Sequence, residues 1–260
     1  MTEARRRPVS GDPIVQLRDV HMGFGALRVF EGLNLDVYPG EILTIIGGSG
    51  SGKSVLLKLI LRLLQQQSGT VRVDGEDISA YDEGRMLPVR RKVGMVFQNG
   101  ALFDSLTVYE NIAYPLRERG VDDDAFISQR VGEVLEMVGL PGIEPKLPAE
   151  LSGGMRKRVA LARAIAEAPK VLLYDEPTTG LDPINVRRVS ELILSLNRRL
   201  DVTSIVVTHD LASAYMISDR LAMVAERRII AVGPTEELRH SADPQVRDFL
   251  SAMDYERRAE

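Results

Sequence analysis

Residues 47–54 read Gly47-Gly48-Ser49-Gly50-Ser51-Gly52-Lys53-Ser54, a full match to the phosphate-binding pattern G-x-x-x-x-G-K-[ST]. Glycines let a backbone curl against phosphate oxygens with no Cβ in the way. Successive N–H groups then converge on the anion, and the helix that follows adds about half a positive charge at its N-terminus. Lys53 supplies a point charge for the β- and γ-phosphates, and the Ser54 hydroxyl a ligand for Mg²⁺. Residues 47–54, with Val55 opening the helix, are therefore the expected binding set for a nucleoside triphosphate. A Gly/Ser-rich stretch alone is also an ordinary surface turn. The apolar run before it (41–46) and the helical run after it (55–64) argue for the phosphate loop.

Hydrolysis at such a site needs a carboxylate for Mg²⁺ and a group that orients or deprotonates water. Leu172-Leu173-Tyr174-Asp175-Glu176 ends a buried strand in two acids, and ligands of open α/β sheets gather at that edge. Asp175 is the expected Mg²⁺ partner, directly or through water. Glu176, pointing the opposite way from the strand, is the expected base. His209, just after the apolar run 204–208, is placed to sense the γ-phosphate. Gln98, just after the run 93–97, could offer its amide to Mg²⁺ and the attacking water. Alone, each of these is an ordinary strand-end residue. Leu151-Ser152-Gly153-Gly154 opens a second helical run and makes a second anion-binding helix end. A simple N-capping serine would read the same way. With one phosphate loop and a distant second anion site, the economical arrangement is a symmetric dimer. In it, Ser152, Gly153 and Gly154 of each copy cover the nucleotide held by its twin.

These groups need a scaffold, and 260 residues suffice for one large α/β domain or for one with an inserted subdomain. Alternating or apolar runs predict strands over 14–20, 33–37, 41–46, 93–97, 171–174 and 204–208. Hairpins are expected around 69–75 and over 221–232. The stretch 105–168 has helical spacing (Val131, Val134, Leu135, Val138) and reads as a helical insertion between strands. Further helices are expected over 184–200, 236–239 and 244–252. Strand and helix alternation beyond residue 170 predicts a parallel βαβ layout. Residues 1–12, with Arg5-Arg6-Arg7, and 251–260 read as charged, mobile ends flanking a domain at 13–250. The net charge of −4 gives no reason to expect nucleic acid. With no cysteine, disulfides, thiolate metal sites and cysteine nucleophiles are excluded. No apolar run reaches the roughly 18 residues of a membrane span, so a membrane role would come through a partner.

Phosphate loop, glutamine loop, L-S-G-G signature, D-E strand end and histidine switch, in this order along the chain, resemble the ATP-binding-cassette (ABC) ATPases. That resemblance implies a P-loop NTPase fold, a mixed sheet core with an antiparallel β subdomain and an inserted helical subdomain. It implies ATP with Mg²⁺ as the bound ligands and a head-to-tail homodimer sandwiching the nucleotide. It also implies that Phe24 stacks on adenine, where tyrosine is more usual, and that Asp182 in Gly180-Leu181-Asp182 lies in the loop joining the subunits. The stretches 97–106, 111–116, 151–158 and 243–250 resemble ATPase subunits of Mla/MCE-type lipid transporters. By that likeness the chain would sit at the cytoplasmic face of a bacterial inner membrane. It would serve integral-membrane permease subunits and an MCE-type lipid-binding partner, with the loop after Gln98 gripping the permease. Met155-Arg156-Lys157-Arg158 departs from the glutamines that many importers carry after the signature. ATPases of amino-acid, metal or drug carriers, and soluble ABC ATPases acting on ribosomes or DNA, are the competing readings.

Overall fold

The computed structural model describes residues 11–259, with side chains through Met253. The expected N-terminal arm thus lies almost wholly outside the described residues. Two compact units emerge. One runs to Arg90 and resumes at Thr203; the other is continuous from Arg91 to Val202.

In the interrupted unit, β1 (Val15–Phe24) and β2 (Leu27–Val37) pair antiparallel, with Phe24 opposite Leu27 across a turn at Gly25. β1 runs on past the expected residue 20. Its register shifts between Leu17 and Val20, where Asp19 takes a φ of 48°. An extra residue of that kind interrupts the period-two alternation from which a strand is read. β3 (Ile42–Ile46) is buried at every position and leads through the glycine turn into α1 (Lys53–Ile60). β4 (Ser68–Val73) and β5 (Glu76–Asp77) form the expected hairpin and complete a four-stranded sheet in the order β2-β1-β4-β5. α2 (Glu83–Arg91) was not expected: Pro88 lies inside it, and a proline normally argues against a helix interior. It forms by burying Met86 and Val89.

The continuous unit opens with β6 (Val93–Val96) and the helices α3 (Val108–Glu118) and α4 (Asp124–Met137). A 3₁₀ turn (Pro148–Glu150) precedes α5 (Gly153–Ile165). β7 (Val171–Asp175) and α6 (Pro183–Leu200) close it. β6 and β7 are parallel, Val96 opposite Tyr174. α3 starts with a capping box in which the Glu110 N–H donates to Thr107 Oγ1 and the Thr107 N–H to the Glu110 carboxylate. Buried Asn111 folds the segment before α3. Its Nδ2 donates to the carbonyls of Phe103, Leu106 and Thr107, and its Oδ1 accepts from the Phe103 N–H.

The interrupted unit resumes with β8 (Thr203–Thr208), α7 (Leu211–Ile217), β9 (Arg220–Ala225), β10 (Arg228–Pro234), α8 (Thr235–Arg239) and α9 (Pro244–Ala259). β8 and β9 flank β3 in parallel, with Ile46 opposite both Thr208 and Met223, and β10 adds antiparallel to β9. A mixed sheet, an antiparallel sheet and helices inserted between strands make the expected α/β fold. α7, not expected, begins where the Asp210 side chain accepts from the Ala212 N–H. α9 continues to Ala259, beyond the expected stop at 252 and into the stretch read as a tail. Val246 and Met253 reach a core of Ile46, Leu211, Ala214, Leu221 and Met223, with Phe249 and Leu250 packed against it. That spacing fixes one helix face.

Among the strands, one buried ion pair stands out. Arg220 Nη1 lies 3.0 and 3.3 Å from the two Glu41 carboxylate oxygens, and Oε1 also accepts from the Tyr38 N–H at 2.7 Å. Burial pushes the Glu41 carboxyl above its ordinary range, opposed by the Tyr38 N–H and then by Arg220. A raised carboxyl pKa means that ionisation weakens the fold. The penalty is full above the folded-state pKa and absent below the unfolded value. Arg220→Ala should therefore cost about 3 kcal/mol in urea denaturation near pH 8, by stranding the buried charge. The difference from wild type should shrink as pH falls through the raised pKa toward 4.5.

Candidate active site

In the interrupted unit the phosphate loop leaves β3 at Gly47, which is buried, and passes through exposed Ser49 and Gly50 before α1 begins at Lys53. Gly50 and Gly52 have φ of 77° and 95°, and the Ser51 N–H donates to the Gly48 carbonyl at 3.2 Å. This alternation of backbone hand turns successive N–H groups toward one point. No side chain caps α1 and no acid lies in its first turn, which leaves the helix start favourable to an anion. Lys53 is 7% exposed, and its Nζ donates to the carbonyls of Gly47 (2.7 Å) and Gly48 (3.0 Å). The ammonium is thus tethered to the loop itself. Ser51 Oγ is buried in the loop without a hydrogen-bond partner. Gly52 answers a second demand besides its φ. A Cβ there would stand 2.6 Å from Val29 Cγ1 and 2.9 Å from Phe30 Cζ, so the glycine lets the loop lie directly on β2.

His209 follows β8 directly, and Thr208 is opposite Ile46. His209 and Gly47 therefore leave neighbouring parallel strands at the same level, as the sequence expects. Thr208 Oγ1 accepts from the Asp210 N–H and Asp210 caps α7, which fixes the turn that carries the half-buried His209. Phe24, at the tip of β1, is 47% exposed, an open ring of the kind stacking needs.

In the continuous unit, Asp175 ends β7 and Glu176 follows it; both are largely buried. Glu176 lies beyond the end of β7, so the strand alternation from which its direction was expected does not govern it. Glu176 has left the β region, with φ at 48°. Thr179 bonds to it twice: its Oγ1 donates to Glu176 Oε2 at 3.0 Å and its N–H donates to the Glu176 carbonyl at 3.3 Å. A non-glycine residue held at positive φ costs about 1 kcal/mol or more, and such residues concentrate where function dictates geometry. Gln98, exposed, lies two residues beyond β6, and its carbonyl accepts from Lys157 Nζ at 2.6 Å.

Ser152 caps α5, accepting from the Met155 N–H at 3.3 Å, and Ser152 and Gly153 are exposed. Gly154 is buried: a Cβ there would lie 3.1 Å from Asn185 Oδ1. Asn185 Nδ2 in turn donates to Asp182 Oδ2 at 2.6 Å, while Asp182 Oδ1 accepts from the N–H groups of Ile184 and Asn185. The bonds from Asn185 hold the Asp182 carboxyl below its usual range. Asp182 is thus the N-cap of α6, and Asn185 joins it to the signature turn.

The described contacts gather the expected residues into three groups: Gly47–Ser54 with His209; Gln98 with Asp175 and Glu176; and Ser152–Gly154 with Asp182. The sequence reading missed Thr179, Asn185 and Lys157. For Lys157 a signal existed, since it sits among Gly154, Leu161 and Ile165 on the buried stripe of α5. Among the described residues no three of His, Cys, Asp and Glu gather as a metal cage.

Residues 30–179 match the family model described as ABC transporter. The chain belongs to the ABC transporter family. This ABC cassette is 40% identical over 237 residues to the probable ribonucleotide transport ATP-binding protein mkl of Mycobacterium leprae, covering 91% of the chain and 68% of that relative. It is 41% identical over 240 residues to the intermembrane phospholipid transport ATP-binding protein MlaF of Escherichia coli, covering 92% of the chain and 89% of MlaF. Its structure is similar to the cassette MJ0796, solved as a dimer in a post-hydrolysis state with ADP and Pi. The TM-score is 0.77 at 32% identity, covering 85% of this chain and 98% of that one. The ABC cassette is an ATP-binding, ATP-hydrolysing module. Lys53→Ala should weaken ATP binding at least about tenfold, the loss of one charge-assisted contact. Titration with a fluorescent ATP analogue checks this.

Proposed function

We propose that the chain is the ATP-hydrolysing subunit of a transporter that moves phospholipid between bacterial membranes. The observation that carries the lipid reading is the 41% identity to MlaF over about nine-tenths of both chains. A ribonucleotide carrier is the second reading, from the name of the mycobacterial relative, of which the chain spans only about two thirds.

In the proposed cycle, residues 13–250 act as the cassette, with the helices of 105–168 as its inserted arm. Two copies close on two ATP. Lys53 and the loop amides hold the phosphates, and Phe24 stacks on the adenine. Ser54, Asp175 and Gln98 would hold Mg²⁺, which neutralises charge on the β- and γ-phosphates when bound. Ser152, Gly153 and Gly154 reach the γ-phosphate of the twin's nucleotide. Glu176 takes a proton from the attacking water as its oxygen bonds to the γ-phosphorus and the bond to ADP breaks. His209 donates to the departing phosphoryl oxygens, and the loop at Asp182 joins the two copies. The higher affinity of ATP for the closed pair drives the partner.

No helix among the described residues is long and apolar enough to cross a membrane. In this reading the work is delivered to permease subunits at the cytoplasmic face of the inner membrane, supported by the likeness to MlaF. A cleft of about 360 Å³ beside the Gln98 loop suits that contact. Phe103 and Tyr114, both exposed, line it with ring centroids 4.9 Å apart, next to Phe97, Pro115 and Arg163. An MCE-type lipid-binding protein is the further partner.

Glu176→Gln should slow phosphate release by about 10²- to 10⁴-fold while leaving ATP affinity intact. The variant should run as a dimer on gel filtration with ATP and as a monomer without it. Mild detergent extraction of the tagged chain from its native membranes tests the transport reading. Co-isolation of a permease, an MCE-type protein and phospholipid supports it. A permease with a nucleotide-binding or amino-acid-binding partner overturns it.

A further inference from the structure

α5 does more than present Ser152 and Gly153 at its first turn. One turn further on, Lys157 is 8% exposed and directs its ammonium at two backbone carbonyls: Gln98 at 2.6 Å and Glu176 at 3.4 Å. These belong to the segments that follow β6 and β7, the parallel pair in which Val96 is opposite Tyr174. Two turns beyond, Arg163 donates to the carbonyls of Gly100 (2.9 Å) and Ala101 (2.7 Å), the latter at a φ of 47°. One helix therefore grips the Gln98 loop at Gln98 and again at Gly100 and Ala101, and at Lys157 the same cation also grips the residue proposed as base. Burial pulls the Lys157 ammonium below its ordinary pKa, and the Glu176 charge opposes that pull. A buried ammonium is retained only where its bonds are well made.

We propose that Lys157 is a positioning residue: it locks the Gln98 loop and the Glu176 turn to α5, so that the state of the partner-facing loop sets the aim of the base. The inference rests on the ATPase reading above and adds the part that regulates it. A pull on residues 98–103 reaches Glu176 through one cation rather than through the sheet. The strained φ of Glu176 is then held from two sides, by Thr179 from within its own turn and by Lys157 from α5. Loss of the ammonium leaves phosphate binding untouched, because the hydrogen bonds of Lys157 go to the carbonyls of Gln98 and Glu176 and not to the phosphate loop, and it misdirects the attacking water.

The test compares the full chain with its Lys157→Met and Lys157→Gln variants. Met keeps an unbranched side chain one atom shorter and removes the donor; Gln, of the same reach as Met, keeps an N–H donor. The Met variant should lose at least about tenfold in kcat for ATP with KM changed less than about twofold, and Gln should recover part of the loss. Without nucleotide, hydrogen exchange should quicken by about tenfold at Gly100 and Thr179 together, whose amides donate to Phe97 and Glu176. Wild-type kcat in the Met variant overturns the proposal. So does a fall in kcat that follows melting temperature, equal in both variants, with exchange at Gly100 and Thr179 unchanged. If the Met variant does not fold, the Gln variant decides alone, by coupled or uncoupled exchange at those two amides. A wild-type chain that releases no phosphate from ATP instead overturns the ATPase reading, and the positioning role with it.

Discussion

The governing constraint of the proposed phosphate loop is that its donors are backbone N–H groups, and backbone groups can be aimed only by what lies before and after them. β3 fixes the start of the loop by being buried on every side and paired with β8 and β9. α1 fixes its end. Between them the glycines at 50 and 52 reverse the backbone hand, and the second also lets β2 press against the loop. A side-chain cradle would tolerate local slack. A backbone cradle cannot, which is why so much of the core lies under eight residues.

The continuous unit solves a different problem, that of carrying several short functional segments on one rigid part. α5 holds the signature turn at its start, the Gln98 carbonyl at Lys157, and the next turn of the same loop at Arg163. Asn185 extends the same body to Asp182. A movement of α5 must shift all of these together.

Much of this was legible in the residues. The phosphate loop, the Asp175–Glu176 strand end, Gln98, His209 and the serine-glycine turn all follow from types and spacing, because each lies at the end of an element with a clear period. The misses share a cause. β1 outran its expected end because the bulge at Asp19 breaks alternation. α2 hid behind Pro88, and α9 outlived its expected stop because Met253 finds a buried place among residues far away in sequence. The turn of Glu176 and the contacts of Lys157 depend on tertiary neighbours, and a positive φ at a glutamate leaves no mark in composition. What the chain's order does show of Lys157 is a charge on an apolar stripe.

The packing of α9 has a consequence for how the protein comes into being. Ile46, the residue just before the phosphate loop, shares its core with Val246 and Met253, and its strand neighbours are β8 and β9. A ribosome delivers β3 before β8, β9 and α9, and the continuous unit emerges whole in between. Domains fold as units during synthesis. The nascent chain would therefore hold a complete continuous unit while its phosphate loop still lacked these supports, and the loop would be backed only once α9 had emerged.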